Sequence, residues 1–585
     1  MRHLGSFRMY ESVLRRLVDA GHEVHVVASH RESLGDGGVP DALLPDVPGI
    51  RWSWDEVRPN AWLELATAVR IWTDYLRYFE PAYANAPRLR KRAAERVPVL
   101  LRRITEWRMV RTGTGRRVLA ACLRLIERAI PRHEAADALM RERRPDVVLL
   151  TPLLHLGSPQ IEVLRSARAC GARTALCVGS WDHLSSKSLI RELPDRIFVW
   201  NETQRREAVD LHGVAAARVT VTGAQCYDQW FGRAPIRTRE QFCSLLKLPP
   251  DKPFLLWVCS ALFVGSPSEA RLVRRWIEHI RASADPLLRS AGILVRPHPA
   301  RLDEWRDVDL SDLADVTLHG SMPVSAPAKE DYFESLSYSA AVVGLNTSAF
   351  LEAAIVSRPV FTIVLPEFRE NQEGTLHFHY LRSVGGGLLS VARDLDEHRA
   401  QLAAALREPD RPDRNATFVE AFIRPHGLGR AATDVFVDAV EELGRAPAVP
   451  ARAPVWAPAL RMALFPLALA AHSAIVGAAV PMDRTSVELQ RARRKDEHRR
   501  EREAQEQRLR AARDAERAEK ASRAEAARQA ALREKQARLE ASERLKRDVN
   551  ATRTREKLQR ERAKRRAAFK SQIKRRLAFV WRQAR

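Results

Sequence analysis

Nine short apolar runs punctuate the first 364 residues, and they limit the possible folds more than any other feature of the chain. They are Glu23–Ala28, Asp146–Thr151, Arg173–Val178, Arg196–Trp200, Arg218–Thr222, Phe254–Cys259, Gly292–Arg296, Ala340–Gly344 and Pro359–Val364. Each is rich in β-branched residues and apolar at successive positions, the pattern of strands covered on both faces. Several lead into stretches of helical period, as at Gln160–Cys170, Glu202–Leu211, Glu269–Ser283 and Ala349–Val356. This alternation predicts an α/β protein of doubly wound parallel sheets. The series breaks at residues 233–253, where Pro249, Pro250 and Pro253 cluster. That break predicts two halves, 1–235 and 236–445.

Two features interrupt the pattern. Residues 58–135 hold no strand-like run and many Arg, Leu, Trp and Ala, which predicts a helical insertion in the first half. The start is also unusual, because Ser12–Ala20 already reads as a first helix. Only about ten residues precede it, so the expectation is that a first strand is missing or that the start lies too far downstream. Met1–Gly21 lacks the charged and apolar regions of a signal peptide. The six cysteines form no C-x-x-C pair and read as buried reduced thiols of a cytosolic protein.

Residues 446–483 begin as an Ala/Pro linker and continue into Met462–Met482, an uncharged stretch long enough to cross a bilayer. Pro466, His472, Ser473 and Gly477 weaken it as a span. A bent segment lying in the membrane interface, or packed on the core, fits better. From 484 to 585 the composition collapses to Ala, Arg, Glu, Lys and Gln, which predicts a long helix. Leu489, Leu509, Leu532, Leu539 and Leu545 keep no heptad spacing, so a lone charged helix and a coiled coil both stay open. The tail holds 35 Lys/Arg against 16 Asp/Glu, so most of the chain's net charge of +24 resides there. Residues 562–585 contain ten basic and no acidic residues, with Phe569, Ile573, Leu577 and Val580 at helical spacing. That is a basic amphipathic helix suited to anionic lipid; nucleic acid stays open as a second partner.

Three segments carry candidate chemistry, each just after a predicted strand, where open α/β sheets place ligands. In V-V-G-L-N-T-S-A-F-L-E-A-A, Asn346, Thr347 and Ser348 can cap a helix whose N–H groups face a diphosphate, and Glu352 can accept from ribose hydroxyls. In R-P-H-P, Arg296 and His298 suit a phosphate or a departing anion. In G-S-W-D-H-L-S-S-K, Asp182 or His183 can take a proton from an acceptor hydroxyl. His377 and His379 lack a third ligand of metal-site spacing. No P-loop or G-x-G-x-x-G is present.

The segments S-W-D-H-L-S-S-K, W-N-E-T-Q-R-R-E-A-V-D-L-H (Trp200–His212) and T-G-A-Q-C-Y-D-Q-W-F (Thr222–Phe231) resemble a set of bacterial glycosyltransferases of the GT-B superfamily. That branch lies near UDP-N-acetylglucosamine 2-epimerase and the CDP-glycerol and capsule-polysaccharide transferases. The resemblance spans roughly residues 1–440. It implies two Rossmann-like domains facing a cleft, with the nucleotide-linked donor held mainly by the second. It implies no cofactor and no obligatory metal. Thr347, Ser348 and Glu352 match the donor position, Arg296 and His298 an H-P motif near donor phosphates, and Asp182 an acceptor-side residue. The expected activity is transfer of a sugar or related group to a surface-polysaccharide or lipid-linked acceptor. The expected location is cytoplasmic, peripheral on the inner face of the cell membrane. The alternatives are a non-hydrolysing 2-epimerase, whose full histidine and carboxylate set is not seen, and a catalytically silent scaffold acting through the tail.

Overall fold

The computed structural model describes residues 1, 4–28, 49–54, 60–408 apart from Met322 and Val324, and 415–472. In the tail it describes 528–529, 532–533, 535–578 and 582. Contacts divide the chain into two units, 1–483 and 484–585.

All nine expected strands form. In chain order the strands are β1 (Val24–Ala28), β2 (Ile50–Trp54), β3 (Val147–Leu150), β4 (Arg173–Cys177), β5 (Arg196–Val199) and β6 (Val219–Val221), then β7 (Phe254–Val258), β8 (Gly292–Arg296), β9 (Val316–Leu318), β10 (Ala341–Gly344), β11 (Val360–Ile363) and β12 (Leu389–Ala392). Every pairing is parallel. The first half has a four-stranded sheet, β3-β4-β5-β6, and a separate pair, β1-β2; the second has one six-stranded sheet, β12-β11-β10-β7-β8-β9. β2, β9 and β12 lie outside the expected set. Each stands at a sheet edge and is short or broken by a polar residue, so it lacks the continuous apolar run of an interior strand.

The order of the six-stranded sheet reverses between β7 and β10. That reversal leaves a crevice beyond the carboxyl ends of these two strands. Gly344 ends β10 there because a Cβ would lie 2.7 Å from the Val258 carbonyl oxygen.

The chain returns to the first half after leaving the second. The helix Ala432–Arg445, placed in the second half by sequence, buries Phe436, Val437, Val440 and Leu443 against Phe7, Leu14, Val26, Ala175 and Phe198. Asp228 anchors this crossing by accepting from Arg424, the Ala432 and Thr433 N–H groups and the Thr433 hydroxyl. The linker that follows is strapped to the same half, with Arg173 donating to the Ala446 carbonyl and Ala451 N–H to the Arg168 carbonyl.

Residues 63–129 fold as helices, as expected: Leu63–Arg77, Pro87–Ala94, Val99–Thr105 and Gly113–Ala129. The first is tied to its base by buried charge. Arg70 donates to Glu127, Glu162 and the Ser158 carbonyl. Asp74 accepts from the Leu189 and Gly157 N–H groups and pairs with Arg191. Arg77 donates to the carbonyls of Leu184, Lys187 and Ser188.

Part of the apolar segment joins this insertion. Ala457–His472 is helical, buries Ala468 against the insertion, sets Phe465 beside Trp62 and binds the Ala129 carbonyl through Arg461. Among the described residues no helix is long and apolar enough to cross a membrane. Residues 473–482, Leu489, Leu509 and Val580 lie outside the described set. In the tail, residues 535–578 form a helix with every side chain exposed. Two thiols depart from expectation: Cys122 and Cys170 are exposed.

Asp74→Ala removes one partner from a buried pair and leaves Arg191 only the longer contact with Glu127, at 3.6 Å. We expect a loss of about 3–5 kcal/mol, read from the urea midpoint and slope of the full chain. A loss under about 1 kcal/mol would mean that this carboxylate does not anchor the insertion.

Candidate active site

Two short segments from opposite halves meet beyond the strand ends. From the first half comes Ser180–Lys187, which follows β4. From the second come Asn346, just after β10, and Asn371–His377, which follows β11. Trp181 meets the His377 ring edge to face, with centroids 4.8 Å apart.

Asp182 is the fixed anion of the cluster. Its carboxylate accepts from the Ser180 hydroxyl at 2.6 Å and the Ser186 hydroxyl at 2.8 Å, with Lys187 Nζ at 3.4 Å. Burial works to raise its pKa, yet Lys187, His183, His377 and the Ser180 hydroxyl hold it well below the usual carboxylate range. The two histidines are driven the other way. Burial lowers His183 to about 4 and His377 to about 4, against the pull of Asp182. Both imidazoles are therefore neutral at pH 7.

Asn346 sets the tautomer of His377. Its Nδ2 donates to the Asn371 carbonyl at 2.7 Å and reaches His377 Nε2 at 3.4 Å. Nε2 is then the acceptor, and Nδ1 carries the proton. The Asn346 N–H donates to the Ser260 hydroxyl at 3.1 Å, which places Asn346 at the β7–β10 crevice. Buried atoms here without a hydrogen-bond partner are His183 Nδ1, His377 Nδ1, Asn346 Oδ1 and Gln372 Oε1. Such atoms also occur in the core, as at Trp276 Nε1 and His398, so they add to a candidate site here without defining one.

Glu352 lies on the same helix side of the cleft. The Tyr332 hydroxyl donates to it, and burial raises its pKa to about 7, opposed by Tyr332 and the charge of Arg8 from the first half. Glu207 and Tyr380 link the halves through a 2.8 Å hydrogen bond, and burial raises Glu207 to about 7.

The structure revises several local expectations. Arg296 is buried and committed to Asp331 at 2.7 Å and Ser335 at 2.9 Å, so its guanidinium does not face a phosphate. It is the last residue of β8 and points under the helix Ala326–Tyr338, where a Cβ on Gly320 would meet it at 2.4 Å. Arg296 instead supports Tyr332, with its guanidinium 5.2 Å from the ring centre. His298 caps its own turn, accepting from the Ala300 N–H at 3.1 Å. The helix after β10, Ala349–Ile355, has seven residues. Ser348 at its N-cap makes no side-chain cap, Thr347 accepts only a long 3.4 Å bond from Ala349, and Asn346 turns towards Asn371. His379 faces away, bonded to the Glu373 carbonyl, and among the described residues no group of three His, Cys, Asp or Glu could hold a metal ion.

Sequence reasoning missed Lys187, Glu207, Tyr380 and the place of His377. Glu207 lies inside the W-N-E-T-Q-R-R-E segment, and His377 stands in a pair of histidines without metal-site spacing.

No protein-family model matches the chain, and no curated protein sequence does. Among solved structures it is similar to a glycosyltransferase from Rickettsia africae, at 8% identity and a TM-score of 0.43 over 75% of this chain and 94% of that one. It is similar to the UDP-GlcNAc 2-epimerase of Methanocaldococcus jannaschii, at 13% identity and 0.36 over 55% and 82%. A third is the wall teichoic acid polymerase TagF, at 13% identity and 0.30 over 43% and 58%.

The histidine environment is directly measurable. In a pH titration followed by imidazole NMR, His183 and His377 should stay neutral at pH 7 and protonate near pH 4. Their depressed values mean that the unfolded chain takes up these protons first. The stability they contribute is complete above about 6.5 and is lost as pH falls towards 4. Titration of both at about 6.5 would show open, solvated rings.

Proposed function

We propose that this protein transfers a sugar or related group from a nucleotide-linked donor to a surface-polysaccharide or lipid-linked acceptor. The observation that carries the reading is the cluster across the cleft. An ionised Asp182 and a neutral His183 from one half stand with a neutral, Nδ1-protonated His377 held by Asn346 from the other.

In this reading the acceptor hydroxyl attacks the donor's anomeric carbon. The new carbon–oxygen bond forms as the bond to the diphosphate breaks, and the diphosphate leaves with the electron pair. His183 takes the hydroxyl proton, and the neighbouring Asp182 steadies the resulting imidazolium. His377 Nδ1–H donates to an oxygen of the departing diphosphate. The donor lies over the β7–β10 crevice, with Thr347 and Ser348 beside it and Glu352 towards the ribose. These steps use side chains alone and call for no cofactor. Such donors are made in the cytosol, so the core would work there, with the basic amphipathic end of the tail resting on anionic lipid of the inner membrane face.

Calorimetry of the full chain against UDP-, GDP-, CDP- and CMP-linked sugars tests the reading, and failure to bind any of them would sink it. With a donor found, His183→Ala and His377→Ala should each lower turnover by about 10²-fold or more. Glu352→Gln should weaken donor binding by about 1–3 kcal/mol. An ionised carboxylate accepts hydrogen bonds better than a neutral one, so wild-type affinity should rise with pH through about 7 and the Gln variant should lose that rise. An unchanged pH profile in the variant would remove Glu352 from the donor site.

A further inference from the structure

The positive charge of the core is concentrated in one place. Residues 87–132 contain 14 Lys/Arg and 3 Asp/Glu, while residues 1–483 as a whole carry 62 against 57, so everything outside that segment is net negative. One of the three acidic residues, Glu127, is buried against Arg70, which leaves only Glu95 and Glu106 at the surface.

The same segment also displays large apolar side chains. At the turn between the helices Val99–Thr105 and Gly113–Ala129, Trp107 is 62% exposed and Met109 83%. The turn is firmly built. The Trp107 carbonyl accepts from the Val110 and Arg111 N–H groups at 2.9 and 2.8 Å. The Thr112 hydroxyl accepts from the Gly115 N–H at 2.9 Å and donates to the Met109 carbonyl at 3.0 Å. A Cβ on Gly115 would sit 1.8 Å from that carbonyl, so the turn closes only around glycine. Trp107 and Met109 are thus held outward by a tight backbone. Below them Val118 and Leu125, seven residues apart on one helix, are exposed beside Arg117, Arg124 and Arg128. The opposite face of that helix packs on Leu63–Arg77 and Ala457–His472.

We propose that the tip of the helical insertion, with Trp107 and Met109 at its apex and Arg103, Arg108, Arg111 and Arg117 around it, docks on an anionic lipid bilayer. Tryptophan suits the headgroup boundary, methionine the acyl layer below, and arginine keeps its head at the phosphates while its stem lies along apolar surface. A second copy of the chain is a poor occupant, because two surfaces of the same strong positive charge repel. Nucleic acid would meet the arginines but leave Met109, Val118 and Leu125 without a partner. The segment is distinct in sequence from the basic tail, and none of its residues belongs to the proposed catalytic cluster.

The test is flotation of the full chain with phosphatidylcholine vesicles, with and without phosphatidylglycerol. A background with Lys570→Gln, Lys574→Gln, Arg575→Gln and Arg576→Gln weakens the tail's contribution. This chain should still float with the anionic vesicles. Adding Trp107→Ser and Met109→Ser should cut its partitioning about tenfold or more. In the unaltered chain, amide exchange at residues 107–112 should slow on anionic vesicles and not on neutral ones. The proposal is overturned if the tip variant floats as its parent does, or if exchange at the tip is unchanged on vesicles. It is equally overturned if the tail-neutralised parent sediments as a dimer that the tip substitutions dissociate, or if an oligonucleotide, and not lipid, protects the tip.

Discussion

Three buried charges on one helix, Arg70, Asp74 and Arg77, tie the insertion to the first half, and two of them, Asp74 and Arg77, hold the segment that bears Asp182 and His183. Burying them is expensive, and the cost is offset only because each finds several partners at once. Asp74 takes two backbone N–H groups and Arg191; Arg77 takes three carbonyls of the segment 184–188. His212 completes the set. Its Nδ1 accepts from the Ile190 N–H, which leaves Nε2 to donate to the Leu184 carbonyl. Burial, aided by the charge of Arg77, keeps that imidazole neutral by lowering its pKa well below the usual value. Apolar packing could hold the insertion on the core but would not fix the segment's carbonyls at defined positions. This network does, and so sets where Asp182 and His183 stand.

The cleft then sorts its ionisable groups by environment. Asp182 has hydroxyl donors and a lysine beside it and stays charged despite burial; the histidines have burial without an equal counter-charge and stay neutral. Glu207 and Glu352 are buried with a tyrosine hydroxyl each and come to about 7. In the proposed mechanism a fixed anion, neutral imidazoles and carboxyls near neutrality suit the movement of a single proton.

Much of the fold was legible because interior parallel strands write themselves as unbroken apolar runs. Edge strands such as β9, V-T-L, do not, since half of each is open to solvent. The insertion was legible as helix, but its buried Arg70 and Asp74 look in sequence like surface charges. The candidate site was legible to the extent that position after a strand end implies it: Asp182 and His183 come close to Asn346 by way of the Trp181–His377 contact. Arg296 shares that position, and its misreading shows the limit. A strand end places a residue near the crevice, yet the side chain's direction depends on what it can pair with, here Asp331 from a helix 35 residues on. His377 was hidden for the complementary reason. Its role follows from Asn346 and Trp181, which are remote in sequence.

The two halves are joined unevenly. On one side Asp228 gathers the donors of the returning chain, and the Asn201 amide donates to the Phe422 carbonyl at 2.8 Å, with Asn201 fully buried. Elsewhere the halves touch through the hydrogen bond of Tyr380 to Glu207, the edge contact of Trp181 with His377, and Arg88, which donates to the Val264 carbonyl at 2.7 Å and lies 3.5 Å from Glu370. His377 belongs both to one of these contacts and to the proposed catalytic cluster, so in the proposed mechanism its place beside Asp182 and His183 depends on how the two halves sit. On the proposed function, any change in the spacing of the halves would therefore act on the chemistry through the Trp181–His377 contact.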